Sequence, residues 1–396
     1  MEIEGFTVQE PDIHKAIDRV IEHYKNFSVA DPELFLIFFS FDDIAVEMRS
    51  ALSFAFPNSQ FVGTSSVGGI LTSSFENFDS ACSVSVLAFY DHEGAYGVAS
   101  NLMGANPADT ITYTIDQAII SSGRQGELPK LVWFYSEHMD ESLAIQIMES
   151  KFGSSIPIFG GVPGHSTLAT ESFCQKFVYH NEQCFVVVLF YPSCEVVTNQ
   201  TNFYYPLTKT GIISRISDHA IDEIDNTDAR DVYLEWLRDY FPVELFDEVK
   251  EPDSTLFTNY PLGIKVGISS EGAIYRIYSI LKYGPRGGLC MYNQLSVGDR
   301  IILMHSQDQD QILSKFQESF DKLISKCGQP LAMMSSMCCL LKSYFNDESW
   351  SFMSRYGFPN VGFFAEGEHG RLANGVNVSA SLMLCTVAFC PRKEGI

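Results

Sequence analysis

The chain has 396 residues, is 46% hydrophobic and 13% aromatic, and carries a formal net charge of −23. So acidic a surface repels nucleic acid and anionic bilayers, and its 26 Lys and Arg are scattered rather than gathered, so no nucleic-acid or membrane partner is expected. No apolar run reaches the ~18 residues of a membrane span, and the acidic start Met1-Glu2-Ile3-Glu4 is no secretory signal; both point to a cytoplasmic protein.

The first element is an amphipathic helix over Pro11–Lys25, with Ile13, Ile17, Val20, Ile21 and Tyr24 at helical spacing and Asp12 in its first turn. One plan then occurs three times: an apolar strand, a helix of about four turns, a Pro, a second strand and a Gly-rich turn. The first copy runs from Leu34–Phe39 through Pro57 to Gly63-Thr64-Ser65-Ser66-Val67-Gly68-Gly69. The second runs from Leu131–Tyr135 through Pro157 to Gly160-Gly161-Val162-Pro163-Gly164-His165. Glycine lets backbone approach a ligand closely, and ligands of open α/β sheets sit at strand ends. The repeats therefore read as a scaffold for a pocket.

Between the second and third copies come strand-like runs at Gln175–His180, Cys184–Tyr191 and Val196–Tyr204, separated by turn residues. Six acids cluster around Asp218–Asp228, where a domain boundary is expected, and the helix Ala229–Tyr240 follows. Strands at Tyr275–Leu281, Leu289–Tyr292 and Arg300–Met304 lead to a helix over Gln307–Cys327. The third copy starts at Leu331–Met334, passes Pro359 and ends in Gly362-Phe363-Phe364-Ala365-Glu366-Gly367-Glu368-His369-Gly370; Ser379–Cys390 reads as a closing strand. The fold class is α/β (mixed α+β), with two related mixed-sheet subdomains flanked by helices and packed around a shared pocket. The ten cysteines show no Cys-x-x-Cys spacing and are expected to be reduced core thiols.

These turns, in this order, resemble the FIST family of sensory domains. The resemblance rests on Gly63–Gly69, on Gly160-Gly161-Val162-Pro163-Gly164, on Tyr260-Pro261-Leu262-Gly263 and on Gly362–Glu368. It implies an N-terminal helix over 1–28, a FIST N-terminal domain over 29–225 and a FIST C-terminal domain over 226–396. It also implies a non-enzymatic, ligand-binding sensor of signal transduction. Departures are Gly69 where the family has an acid, His165 where it often has Asp, and His369 where it has an apolar residue. One branch of the family binds haem, senses nitric oxide and controls partner histidine kinases. On that branch haem b would be the cofactor, its axial ligand one of His369, His165 and His138, ranked in that order, with Glu366 or Glu368 orienting the imidazole. The ligand-binding residues would be Gly63, Thr64, Ser65, Gly160, Gly161, Gly164, Phe364, Gly367 and Glu368. The partner would be a histidine kinase or a cyclic-dinucleotide enzyme, and the chain would form a homodimer.

Other readings stay open. A small metabolite such as an amino acid could be sensed without haem. Glu366 and Glu368 with His369 could act as general acid and base of an enzyme. Gly284-Pro285-Arg286-Gly287-Gly288 is neither a Walker loop nor a dinucleotide fingerprint, although Arg286 could hold a carboxylate. Cys390-Pro391 matches the dipeptide of haem-responsive motifs, which arises easily by chance.

Overall fold

The runs Leu34–Phe39, Leu131–Ser136 and Cys184–Tyr191 are strands buried along their whole length. Continuous apolar strands of this kind need cover on both sheet faces. The computed structural model describes residues 1–40, 44–73, 83–136, 141–164, 171–180, 182–240, 254–270, 272–284, 287–345 and 351–392. It divides into two compact units, one of 1–200, 316–379 and 384–396, the other of 201–315 and 380–383.

The first unit opens with β1 (Glu2–Gln9), α1 (Ile13–Phe27), β2 (Leu34–Phe39), α2 (Ile44–Ala55), β3 (Gln60–Ser65), β4 (Ile70–Thr72), β5 (Ser83–Tyr90) and β6 (Ala95–Leu102). It continues through α3 (Pro107–Ser122), β7 (Leu131–Ser136), α4 (Glu141–Phe152), β8 (Ile158–Pro163), β9 (Glu171–Cys174), β10 (Val178–His180), β11 (Cys184–Tyr191) and β12 (Glu195–Asn202). The second unit holds β13 (Tyr204–Ser217), β14 (Ala220–Ile224), β15 (Thr227–Asp228), α5 (Ala229–Leu237), α6 (Ser254–Asn259) and β16 (Leu262–Ser269). It ends with β17 (Gly272–Tyr278), β18 (Ile280–Tyr283), β19 (Leu289–Met291) and β20 (Arg300–Ser306). After α7 (Gln309–Cys327) come β21 (Ala332–Cys338), β22 (Asn360–Arg371), β23 (Asn377–Ala380) and β24 (Met383–Cys390).

The first unit is a four-layer sandwich. One sheet has the order β1-β5-β2-β3-β9-β10; the other runs β12-β24-β21-β22-β8-β7-β11-β6, with β4 and β23 added on β22. Alternation along β2 sends Phe35, Ile37 and Phe39 toward α1 and α2, whose Ala16, Val20, Tyr24, Met48 and Leu52 complete that core. Phe38 points the other way and stacks on Phe363 of the second sheet at 5.3 Å. Phe89 of β5 likewise meets Phe389 edge-on at 5.0 Å. The outer face of the second sheet (Val132, Phe134, Phe185, Val187, Leu189) is covered by α3 and α4 through Ile111, Ile115, Ile145 and Met148. Each such Phe or Leu removed from water contributes about 1.5–3 kcal/mol, which is why both sheets keep apolar residues on both faces.

The start of α1 follows the sequence closely. Asp12 is its N-cap and accepts a hydrogen bond from the Lys15 amide, which holds its carboxyl below the usual range. The third copy of the repeat differs from expectation. Two 3-10 segments, Cys339–Tyr344 and Ser351–Arg355, stand between β21 and β22 where a helix of about four turns is expected. Nor are all cysteines reduced: Cys327 at the end of α7 is bonded to Cys390 at the end of β24.

In the second unit the described strand pairings are antiparallel, in the order β17-β16-β20-β13-β14-β19-β18 with β15 on β14. Tyr233, Trp236, Leu237 and Phe257 from α5 and α6 pack on Leu262, Ile301 and Leu303 of its sheet. Asp228 caps α5 by accepting from the Arg230 and Asp231 amides. The chain is a mixed α/β protein, as the alternation of its patterns implies.

Candidate functional site

The three copies of the repeat are three parallel strand pairs, β2/β3, β7/β8 and β21/β22. Leu34 faces Gln60 and Val132 faces Ile158, the same interval, whereas Met333 faces Asn360, one residue longer. This register puts Gly63 opposite Ile37, Gly160 opposite Phe134 and Gly362 opposite Ser335. These glycines lie inside strands, not in turns. A Cβ on Gly63 would lie 2.3 Å from the Phe173 ring, one on Gly160 1.9 Å from the Phe134 carbonyl oxygen, and one on Gly362 2.1 Å from that of Ser335. Close protein packing accounts for all three. Thr64 and Ser65 end β3, Gly161 is in β8, and Gly367, Glu368 and His369 are in β22.

The three segments nevertheless come together, and β22 is what joins them. β8 pairs with β22, and β4, which continues from the first copy, pairs with it too. At this junction the Ser66 hydroxyl accepts from the Phe364 amide at 2.8 Å and donates to the Gly69 carbonyl. The Val67 amide donates to the Phe364 carbonyl at 3.2 Å. Gly164 packs so closely that a Cβ there would lie 1.7 Å from Val67 Cγ2 and 3.5 Å from Glu366 Cγ. Lys342, from the 3-10 segment after β21, donates to the Gly68 carbonyl and lies 5.5 Å from the centre of the Phe364 ring. Gly68 is exposed, while Val67, Lys342 and Glu366 are half-buried. The junction thus has a solvent-reaching rim that, among the described residues, bears Lys342 and Glu366. Lys342 is not among the residues expected from the sequence to bind a ligand.

His369 is fully buried and stacks face to face on Phe134, with ring centroids 4.1 Å apart and planes within 1°. Gly160, which pairs with both residues, has no side chain to separate the two rings. Burial pushes the His369 imidazole down to about 3, so the ring is neutral. Neither of its nitrogens has a hydrogen-bond partner among the described residues, so the expected orientation of this ring by Glu366 or Glu368 is not found. Glu368 is also fully buried, but consecutive strand residues point to opposite faces. It is Cys385 that feels its charge: burial and Glu368 together raise that thiol well above its ordinary value. Glu368 and His369 therefore point to opposite faces of β22.

A haem ligand needs a ring edge open to a broad planar group. His369 lies in the strand-to-helix core with one ring face covered by Phe134, and as placed it does not fit that group. His138, His165 and Arg286 lie outside the described residues. Cys390 is held in the disulfide and is no thiol ligand.

The first unit is thus a four-layer α/β unit with a partly open polar rim where three strand pairs converge. The family models agree with the sequence resemblance: the FIST N domain matches residues 33–227 and the FIST C domain residues 229–371. The chain belongs to the FIST family, whose domains are associated with sensory signal transduction. Among curated proteins none matches the chain. Among the described residues no helix is long and apolar enough to cross a membrane.

Proposed function

We propose that this chain is a non-enzymatic sensor of a small amino-acid-like metabolite, passing its state to a partner histidine kinase or cyclic-dinucleotide enzyme. The observation that carries the reading is the rim on β22, where Lys342 and Glu366 stand beside the Ser66–Gly69 turn. A cation and a carboxylate at one partly open place complement the carboxylate and ammonium groups of an amino acid. Ligand binding acts by favouring one conformation over another, and strands from all three repeats meet at this rim. The test is a calorimetric titration of the purified chain with individual amino acids. Saturable binding that Lys342→Ala and Glu366→Gln each weaken supports the reading; parent-like binding by both variants overturns it.

The haem reading has one observation in its favour, the two unpartnered nitrogens of His369. For haem to bind there, the Phe134 stack would have to open. An absorption spectrum after haem reconstitution decides: a Soret band lost in His369→Ala would favour haem over the metabolite.

A further inference from the structure

We propose that Arg276, in the second unit, anchors a separate binding site for a small carboxylate. On β17, Tyr278 pairs with Leu262 and Arg276 with Ile264. Residues two apart share a face, so Arg276 lies on the face where Leu262, Ile264 and Tyr278 join the core of this unit. Lys265 pairs with Tyr275 and belongs to the opposite face. The Arg276 guanidinium carbon lies 5.0 Å from the centre of the Tyr278 ring, a contact that fixes the plane of the group.

Nε and Nη2 of this guanidinium are buried, and neither has a hydrogen-bond partner among the described residues. These two nitrogens form the side-on edge of arginine, whose parallel N–H groups match the two oxygens of one carboxylate. Buried donors left unmatched are costly, and more so when charged. The chain has 49 acidic side chains, yet no described residue pairs with this edge. The geometry calls for a carboxylate rather than a phosphate. The edge satisfies both carboxylate oxygens, whereas a phosphate would leave further charged oxygens against Tyr278 and Ile264.

The test uses the full chain labelled with 15N-arginine. The Nε–H signal of Arg276 is assigned by its loss in Arg276→Lys and followed during titration with acetate, succinate and inorganic phosphate. The expected result is a saturable shift with both carboxylates and a clearly weaker response to phosphate; calorimetric titration, which reads parent and variant alike, should show carboxylate affinity reduced roughly ten- to hundred-fold in Arg276→Gln. Lys342→Ala should leave the shift unchanged, which separates this site from the rim on β22. Absence of a saturable carboxylate shift, tighter binding of phosphate, or parent-like affinity in Arg276→Gln would each overturn the assignment. Arg276→Met gives an independent check. In carboxylate-free buffer it should melt no lower than the parent, because it removes two buried donors that have no hydrogen-bond partner among the described residues. A marked fall would show that the guanidinium already has a structural partner, and the proposal would fail.

Discussion

Replacing Gly160 with alanine tests whether the repeat glycines serve packing or ligand approach. Gly160 combines two obstacles: a backbone φ of +137° and a Cβ position 1.9 Å from the Phe134 carbonyl oxygen. Two other glycines separate these effects. Gly123 caps α3 at φ +68° with no atom within 4 Å of a Cβ, so Gly123→Ala pays only the left-handed backbone, about 1 kcal/mol. Gly362 has no positive φ but a Cβ position 2.1 Å from the Ser335 carbonyl oxygen, so Gly362→Ala pays only overpacking, about 1–3 kcal/mol. Gly160→Ala pays overpacking together with a backbone region open almost only to glycine, about 3–5 kcal/mol in all. At about 2 °C per kcal/mol for a large unit, its melting temperature should fall by about 6–10 °C, against about 2 °C for Gly123→Ala. Calorimetry on the three variants gives the order. If Gly160→Ala melts no lower than Gly123→Ala, the close strand approach is not what requires glycine, and the ligand-cradle reading regains its ground.

Other expected outcomes follow from single contacts. His369→Phe should keep the stack on Phe134 and remove two buried nitrogens that have no hydrogen-bond partner among the described residues, leaving stability equal or higher by about 1–3 kcal/mol. In the folded parent His369 titrates near 3 and in the unfolded chain near 6.5, so the unfolded state takes up the proton first as pH falls. The parent should therefore lose about 1.4 kcal/mol per pH unit below about 6.5 relative to His369→Phe; parallel urea midpoints from pH 7 to pH 5 would refute this. Cys327→Ser opens a disulfide spanning 63 residues and should cost up to about 4 kcal/mol, with the parent in dithiothreitol melting like the variant. Ser66→Ala leaves the Phe364 amide without its acceptor at 2.8 Å and should cost about 1–3 kcal/mol by denaturant unfolding.

Strand positions were legible because apolar runs bounded by Pro and Gly leave few alternatives. Cys184–Tyr191 is a strand at the expected bounds, and the helix expected over Pro11–Lys25 is α1, shifted by two residues to Ile13–Phe27. The repeat was legible too, since equal spacing from Leu34 to Gly63 and from Leu131 to Gly160 reflects equal register in β2/β3 and β7/β8. The role of the glycines was not. Sequence shows that a side chain is absent, not whether a ligand or a neighbouring carbonyl uses the room. The surroundings of His369 were hidden for a related reason. Its partner Phe134 lies 235 positions away in the chain, and Gly160 brings them together only once β22, β8 and β7 are aligned. The Cys327–Cys390 bond escaped because each cysteine ends an element whose packing alone makes them neighbours.

The place of β22 bears on how a ligand at the proposed rim site would act. β22 is the second strand of the third repeat, yet it bonds to β8 of the second repeat and to β4, the continuation of the first. A displacement of β22 therefore reaches every repeat through its strand pairings. On its inner face Phe363 stacks on Phe38 and meets Trp133 and Tyr135 edge-on, so movement of the strand would also disturb the layer between the two sheets. Close-packed layers favour discrete alternatives over gradual deformation. A ligand held between Lys342 and Glu366 could thus select between two settings of one central strand. That requires a difference in affinity between the two settings, which contacts at the proposed rim site would have to supply. The Lys342→Ala and Glu366→Gln titrations therefore test the switch as well as the site.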